Sequence, residues 1–138
     1  TEKLLATAKF AAHSVAAQAD IARPTLDPDP AVRWWQVMAC SHASNVTDFR
    51  DLLEQETKSD EPAIRVAAAG GLARAGNLAS AAAILGELLG AESQFVRHAA
   101  VLEIDEFGPQ LIQLTKTQIE NVGDSDYSRR LADHALNR

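Results

Sequence analysis

A single cysteine, Cys40, is present, so no disulfide can form within the chain and the redox compartment stays open. Aromatic residues make up only 5% of the sequence while alanine abounds. That balance disfavours a sheet built from aromatic and β-branched residues and favours helices whose backbones approach closely. No apolar run is long enough to span a bilayer. The Ala-rich stretch from Thr1 to Ala22 is interrupted by Lys9, His13 and Gln18, so it lacks the continuous apolar segment of a signal peptide and belongs to the fold. Clustered Lys and Arg are missing too, and the net charge is −6. Phosphate affinity rests on such clusters, so nucleic acids and anionic membrane surfaces are excluded as general partners. What remains, 46% hydrophobic and 23% charged over 138 residues, suits one all-α domain with a core.

Self-similarity supplies the architecture. The pairs Val32-Arg33, Ile64-Arg65 and Val96-Arg97 stand 32 residues apart, and the same step lands on Ser128-Arg129. Each pair heads an apolar stripe at helical spacing: Val32, Trp35, Ala39, Cys40 and Ala43; Ile64, Ala67, Ala68, Gly71, Leu72 and Ala75; Val96, Ala99, Ala100, Ile104 and Phe107; Leu131, Ala132, Ala135 and Leu136. Gln36 and Glu103 are polar exceptions on those stripes. Asp29, Glu61, Ser93 and Ser125 stand four residues before the arginines as candidate N-caps, with Pro30 and Pro62 at the first helical position, where a missing N–H costs nothing. Stops at Gly76-Asn77 and Phe107-Gly108-Pro109 introduce second stripes: Val46, Phe49, Leu52 and Leu53; Leu78, Ala82, Leu85 and Leu89; Leu111, Leu114, Ile119 and Val122. Two helices per 32 residues make a solenoid of antiparallel helix pairs. The expected units are about 1–26, 27–58, 59–90 and 91–122, with 123–138 incomplete, all in one domain. Glu2 to about Ala22 is expected to form a further helical pair with Leu4, Leu5, Ala8, Ala12, Val15 and Ala19 inward. Neither end shows the polar cap that closes a solenoid, so the chain is expected to be a piece of a longer protein.

The string Asp27-Pro28-Asp29-Pro30-Ala31-Val32-Arg33 resembles the HEAT-repeat signature, an acidic turn and a Val-Arg pair opening one helix of each hairpin. The resemblance implies a right-handed α-α superhelix used for protein–protein contact or as a rigid spacer. A narrower resemblance is to the helical C-terminal region of some bacterial sulfatases, carried by Leu4-Leu5 to Ala12, Asp27 to Trp35 and Ile64 to Gly71. A sulfatase nucleophile lies in Cys or Ser, any residue, Pro, any residue, Arg. Cys40 is followed by Ser41-His42-Ala43-Ser44 and lacks that pattern, so such a catalytic domain would sit upstream, with a periplasmic or secreted setting; otherwise the setting is cytoplasmic.

The regular arginines Arg33, Arg65, Arg97 and Arg129 read as a structural ladder. Acidic groups at the turns, Asp27, Asp29, Asp60, Glu61, Glu92 or Asp124, are the expected partners of guanidinium forks between successive repeats, and an acidic binding partner is the alternative. Trp34 and Trp35 are about 100° apart on a helix, so they cannot share one stripe. Trp35 falls inward, and Trp34 is left as a possible interface anchor. His13, His42, His98 and His134 share no repeat phase and show no metal-ligand spacing with Cys40. Asp27, Asp29, Asp124 and Asp126 have calcium-loop spacing without the glycine and distal glutamate, so caps and turns explain them better. Asp105-Glu106 are adjacent on a helix and point apart, which removes a facing acid–base pair. Gly70-Gly71 inside a helix calls for close packing against a neighbour.

The sequence therefore points to a non-catalytic interaction or scaffold module with no cofactor and no metal, whose partner is another protein or an upstream domain of the same chain. An accessory region of a sulfatase is the alternative. A lyase-type HEAT protein acting on a tetrapyrrole-bearing antenna protein rests on fold analogy alone.

Overall fold

Proline and aspartate together write the start of the second helix. In the computed structural model, which describes residues 1–17, 19–122 and 126–137 (backbone only for 126–128), Pro30 opens the helix. The Asp29 side chain caps it by accepting the Ala31 N–H at 2.9 Å. The described residues are helical and contain no strand. The order is α1 Glu2–Ala17, α2 Pro30–His42, a 3-10 turn Val46–Phe49, α3 Arg50–Glu56, α4 Pro62–Arg74, α5 Leu78–Leu88, α6 Gln94–Phe107, α7 Pro109–Leu114, α8 Lys116–Glu120 and α9 Asp126–Leu136. Gly76 and Gly108 end helices at φ values of 96° and 115°, which a side chain resists. The expected caps at Glu61 and Ser93 make no side-chain bond to their helices; Ser59 Oγ instead accepts the Glu61 N–H at 3.1 Å. Asp124 and Ser125 lie outside the described residues.

The helices form two layers. In one, α1, α2, α4, α6 and α9 lie side by side in chain order; α3, α5, α7 and α8 pack behind them. Helix α4 touches α2, α3, α5 and α6 and is buried on nearly every side, so its Ala- and Gly-rich sequence has no polar face to offer. The predicted stripes of α2 and α4 supply much of the core, but the buried face is wider, because Val37, Ala69 and Val101, off the stripe, are also fully buried. A helix flanked on both sides by its neighbours must be apolar over more than one narrow face.

Four expectations need correction. The segment expected to hold a helical pair is one helix, α1, followed by an extended strap over 19–29. Pro24, Pro28 and Pro30 explain it, since the residue before a proline is pushed out of the helical region. Helix α1 buries Ala11 and Ser14, leaving Leu5, Ala12 and Ala19 exposed; α2 selects small residues for close contact, and an Ala-rich sequence leaves the phase weakly marked. The stripe from Leu111 to Val122 is broken at Thr115, whose hydroxyl donates to the Leu111 carbonyl at 2.8 Å between α7 and α8. Leu114 consequently points outward.

Candidate interaction surface

The strap is tied down by side chains, not by a ladder of backbone bonds. Asn45 donates to the Ile21 carbonyl and accepts the Ile21 N–H, both at 3.0 Å. Gln36, one of the polar exceptions, donates to the Thr25 carbonyl at 3.0 Å and accepts the Asp27 N–H at 2.8 Å. Arg23 forks onto Asp51 at 3.1 and 2.7 Å, and Lys3 pairs with Asp27. The Lys3 ammonium and the Asp29 N–H hold the Asp27 carboxyl below its ordinary range, which accounts for that aspartate without a metal.

Strap, α1 and α2 together enclose an open apolar groove of about 290 Å³ lined by Ala6, Phe10, Ile21, Pro24, Trp35 and Ala39. Phe10 is 55% exposed at its edge. The polar side chains lining it are Thr7, whose hydroxyl donates to the Lys3 carbonyl at 2.8 Å, and Gln36, already committed to the strap. The groove thus presents apolar surface with its hydrogen-bonding groups engaged. Trp34 packs on the core cluster and meets Trp35 edge to face, with ring centroids 4.7 Å apart. Sequence reasoning placed Trp35 inward on the stripe; it lines this groove instead, a feature no periodicity signals because half its wall is strap. Phe10 was not singled out either, although an aromatic residue in an Ala-rich helix was a visible signal.

The four arginines share one habit. Each donates to carbonyls of the chain just before its own helix: Arg33 to Asp27 at 3.5 Å, Arg65 to Thr57 at 2.7 Å, Arg97 to Ala91 and Glu92 at 2.7 and 2.8 Å, and Arg129 to Glu120 at 3.1 Å. Their carboxylate partners differ from those expected. Arg33 forks onto Glu56 of α3, Arg65 reaches Glu87 of α5 at 3.1 Å, and Arg129 pairs with Asp133 at 3.0 Å on its own helix. None of these is a turn carboxylate, because the capping turns point away while the second helix lies directly behind the first. Glu56 is buried, and its fork holds the Arg33 guanidinium charged above its ordinary range.

A second polar cluster joins α2, α4 and α6. Glu103, the other stripe exception, accepts from Arg74 at 2.8 Å, and Glu106 lies 4.0 Å from the same guanidinium. Burial raises the Glu103 carboxyl against the pull of Arg74, while burial and Arg74 push the His42 imidazole down. Cys40 is fully buried, and burial raises its thiol to about 11, far from a reactive thiolate. Among the described residues no group of three His, Cys, Asp or Glu is placed to hold a metal ion, and no helix is long and apolar enough to cross a membrane.

Compared with known proteins, residues 19–105 match the family described as HEAT repeats. No curated protein and no solved structure matches the chain.

Proposed function

Because the chain belongs to the HEAT-repeat family, whose helical repeats commonly mediate protein interaction, we propose that it is a non-catalytic interaction module whose docking surface is the groove between α1, α2 and the strap. The observation that carries this reading is Phe10, more than half exposed beside Trp35 on a groove whose polar groups are already satisfied. Covering an aromatic side chain of that kind is worth about 1.5–3 kcal/mol to a partner. Trp34 belongs to the same surface as the ring that backs Trp35, and is the proposed anchor's support. Arg33, Arg65, Arg97 and Arg129 serve the stack: their bonds to carbonyls of the preceding connection leave little of each guanidinium for a partner. The accessory-region reading, with a sulfatase domain upstream, stands on the sequence resemblance alone, and the family match at residues 19–105 speaks only for the repeats.

The test is selection of a random dodecapeptide display library on the immobilised chain, with Phe10→Glu in parallel. Enriched peptides that bind the wild type and lose at least tenfold in affinity on Phe10→Glu support the groove. No enrichment, or binding indifferent to Phe10→Glu, overturns it.

A further inference from the structure

The charge around the groove departs from that of the rest of the molecule. Thr1 to Leu26 carries Lys3, Lys9 and Arg23 against Glu2 and Asp20, in a chain whose net charge is −6. Lys3 and Arg23 are held by exposed pairs with Asp27 and Asp51, pairs of the kind that contribute little and exchange readily with water. Lys9 makes no ion pair or hydrogen bond; it is exposed on α1 beside Phe10 and one turn beyond Ala6. The mouth of an apolar groove therefore carries one unspent positive charge and two loosely held ones. Inside, Thr7 and Gln36 have no hydrogen bond left to demand of a ligand.

We propose that the groove takes a peptide segment in which an aliphatic or aromatic anchor is flanked by acidic residues: the anchor fills the space between Phe10 and Trp35, and the flanking carboxylates meet Lys9 and the rim cations. This rests on the reading of the groove as the docking surface and adds its selectivity. Exposed charge pairs of this sort change affinity roughly two- to fivefold each and are screened by salt. The acidic bulk of the chain rejects strongly anionic partners elsewhere, so long-range attraction is confined to this end.

Three labelled nonapeptide pools with Leu, Phe or Trp at the centre and Asp/Glu, Ser/Asn or Lys/Arg flanks are titrated with the full chain and followed by fluorescence anisotropy. The acidic pool is expected to bind wild type at least fivefold tighter than the neutral pool at low salt, with the basic pool weakest; Lys9→Glu reverses the order. Equal affinities of the pools on wild type, or an acidic preference that survives Lys9→Glu, overturn the proposal while leaving the groove standing, provided binding still falls on Phe10→Glu. Binding of every pool that ignores Phe10→Glu, or no binding at all, overturns the groove itself and the proposal with it. A second copy is the rival occupant, since Phe95 is 75% exposed with Glu92 a turn earlier. If the chain grows in mass with concentration, and Phe95→Asp both stops that growth and frees the groove for the pools, the occupant is another copy and the proposal fails.

Discussion

A methyl group on Gly70 would overlap the carboxylate of Glu103, and the space this glycine leaves is what lets Glu103 of α6 lie across α4 and accept from Arg74 at 2.8 Å. An acid is thereby placed in a buried helix joint, with His42 of α2 and Glu106 of α6 as the other charged groups around the same guanidinium.

The pH dependence of stability follows with opposite signs from two residues. Glu103 is raised, so the folded chain binds its proton more tightly than the unfolded chain, and its contribution to stability falls as pH rises above the ordinary carboxyl value of 4.5. His42 is lowered, so the unfolded chain binds its proton more tightly, and stability is lost as pH falls below 6.5. Glu103→Gln, which keeps an acceptor for Arg74, is expected to flatten the decline on the alkaline side; His42→Asn is expected to flatten the acid side. Urea denaturation midpoints from pH 5 to 8 check both, and parallel pH profiles for wild type and Glu103→Gln would contradict the first.

Replacing the two helical glycines separates a yielding neighbour from an unyielding one. A Cβ on Gly71 meets Ser41 Cβ and Leu53 Cδ1 at 2.9 Å, in a joint where Ser41 Oγ also donates to the Ala67 carbonyl at 2.8 Å. Gly71→Ala should cost about 1–3 kcal/mol, since overpacking outweighs its helix-propensity gain of about 1 kcal/mol. At Gly70 the obstacle is the far end of the Glu103 side chain, which can swing away, so Gly70→Ala should stay within about 1 kcal/mol of wild type. Thermal unfolding of the two variants decides; equal losses would show that Glu103 is as fixed as Ser41.

The arginine series should not behave as a uniform ladder. The Glu56 side chain is only 3% exposed, so Arg33→Ala leaves a buried carboxylate without its cation and should cost about 3–5 kcal/mol. The Glu87 side chain is 64% exposed, so Arg65→Ala loses an ion pair worth about 1 kcal/mol or less together with the bond to the Thr57 carbonyl. The measurement is the difference in unfolding free energy between these two variants, and a smaller loss for Arg33→Ala would be the contrary result.

The repeat was legible because its signals are local: Asp29-Pro30, the spacing of the Val-Arg pairs, and the glycines at 76 and 108 each fix a backbone choice within a few residues. The first 29 residues were harder to read, because alanines on every face of α1 leave the buried side to be chosen by α2, and because the strap is held by Asn45 and Gln36 from distant helices. The groove inherits that difficulty: Phe10, Ile21 and Trp35 meet only once the strap has a path. Gln36 and Glu103 were visible as breaks in the stripes, and both are polar ties between elements.

Cys40 should be silent in the folded protein. Complete burial and a thiol raised to about 11 leave neither access nor thiolate at pH 8. The native chain is expected to react with Ellman's reagent only at the rate at which it opens, and fully within seconds in 6 M guanidinium, written here as a condition of about complete unfolding. Prompt stoichiometric release from the native chain would contradict the packing of α2.

The paired tryptophans distinguish packing from docking. Trp34 lies against the core cluster while Trp35 lines the groove, and the two rings meet edge to face. Trp34→Ala removes core contacts and the support behind Trp35, so it should cost about 2–4 kcal/mol and lower the melting temperature in step. Trp35→Ala opens a groove that is already open, so its stability cost should be the smaller of the two, whereas its loss of peptide affinity should match that of Phe10→Glu. Thermal unfolding and peptide titration of both variants check the division. A Trp34→Ala chain that melts with wild type yet fails to bind would assign Trp34 to the partner directly, as its place at a mixed position of the repeat first suggested.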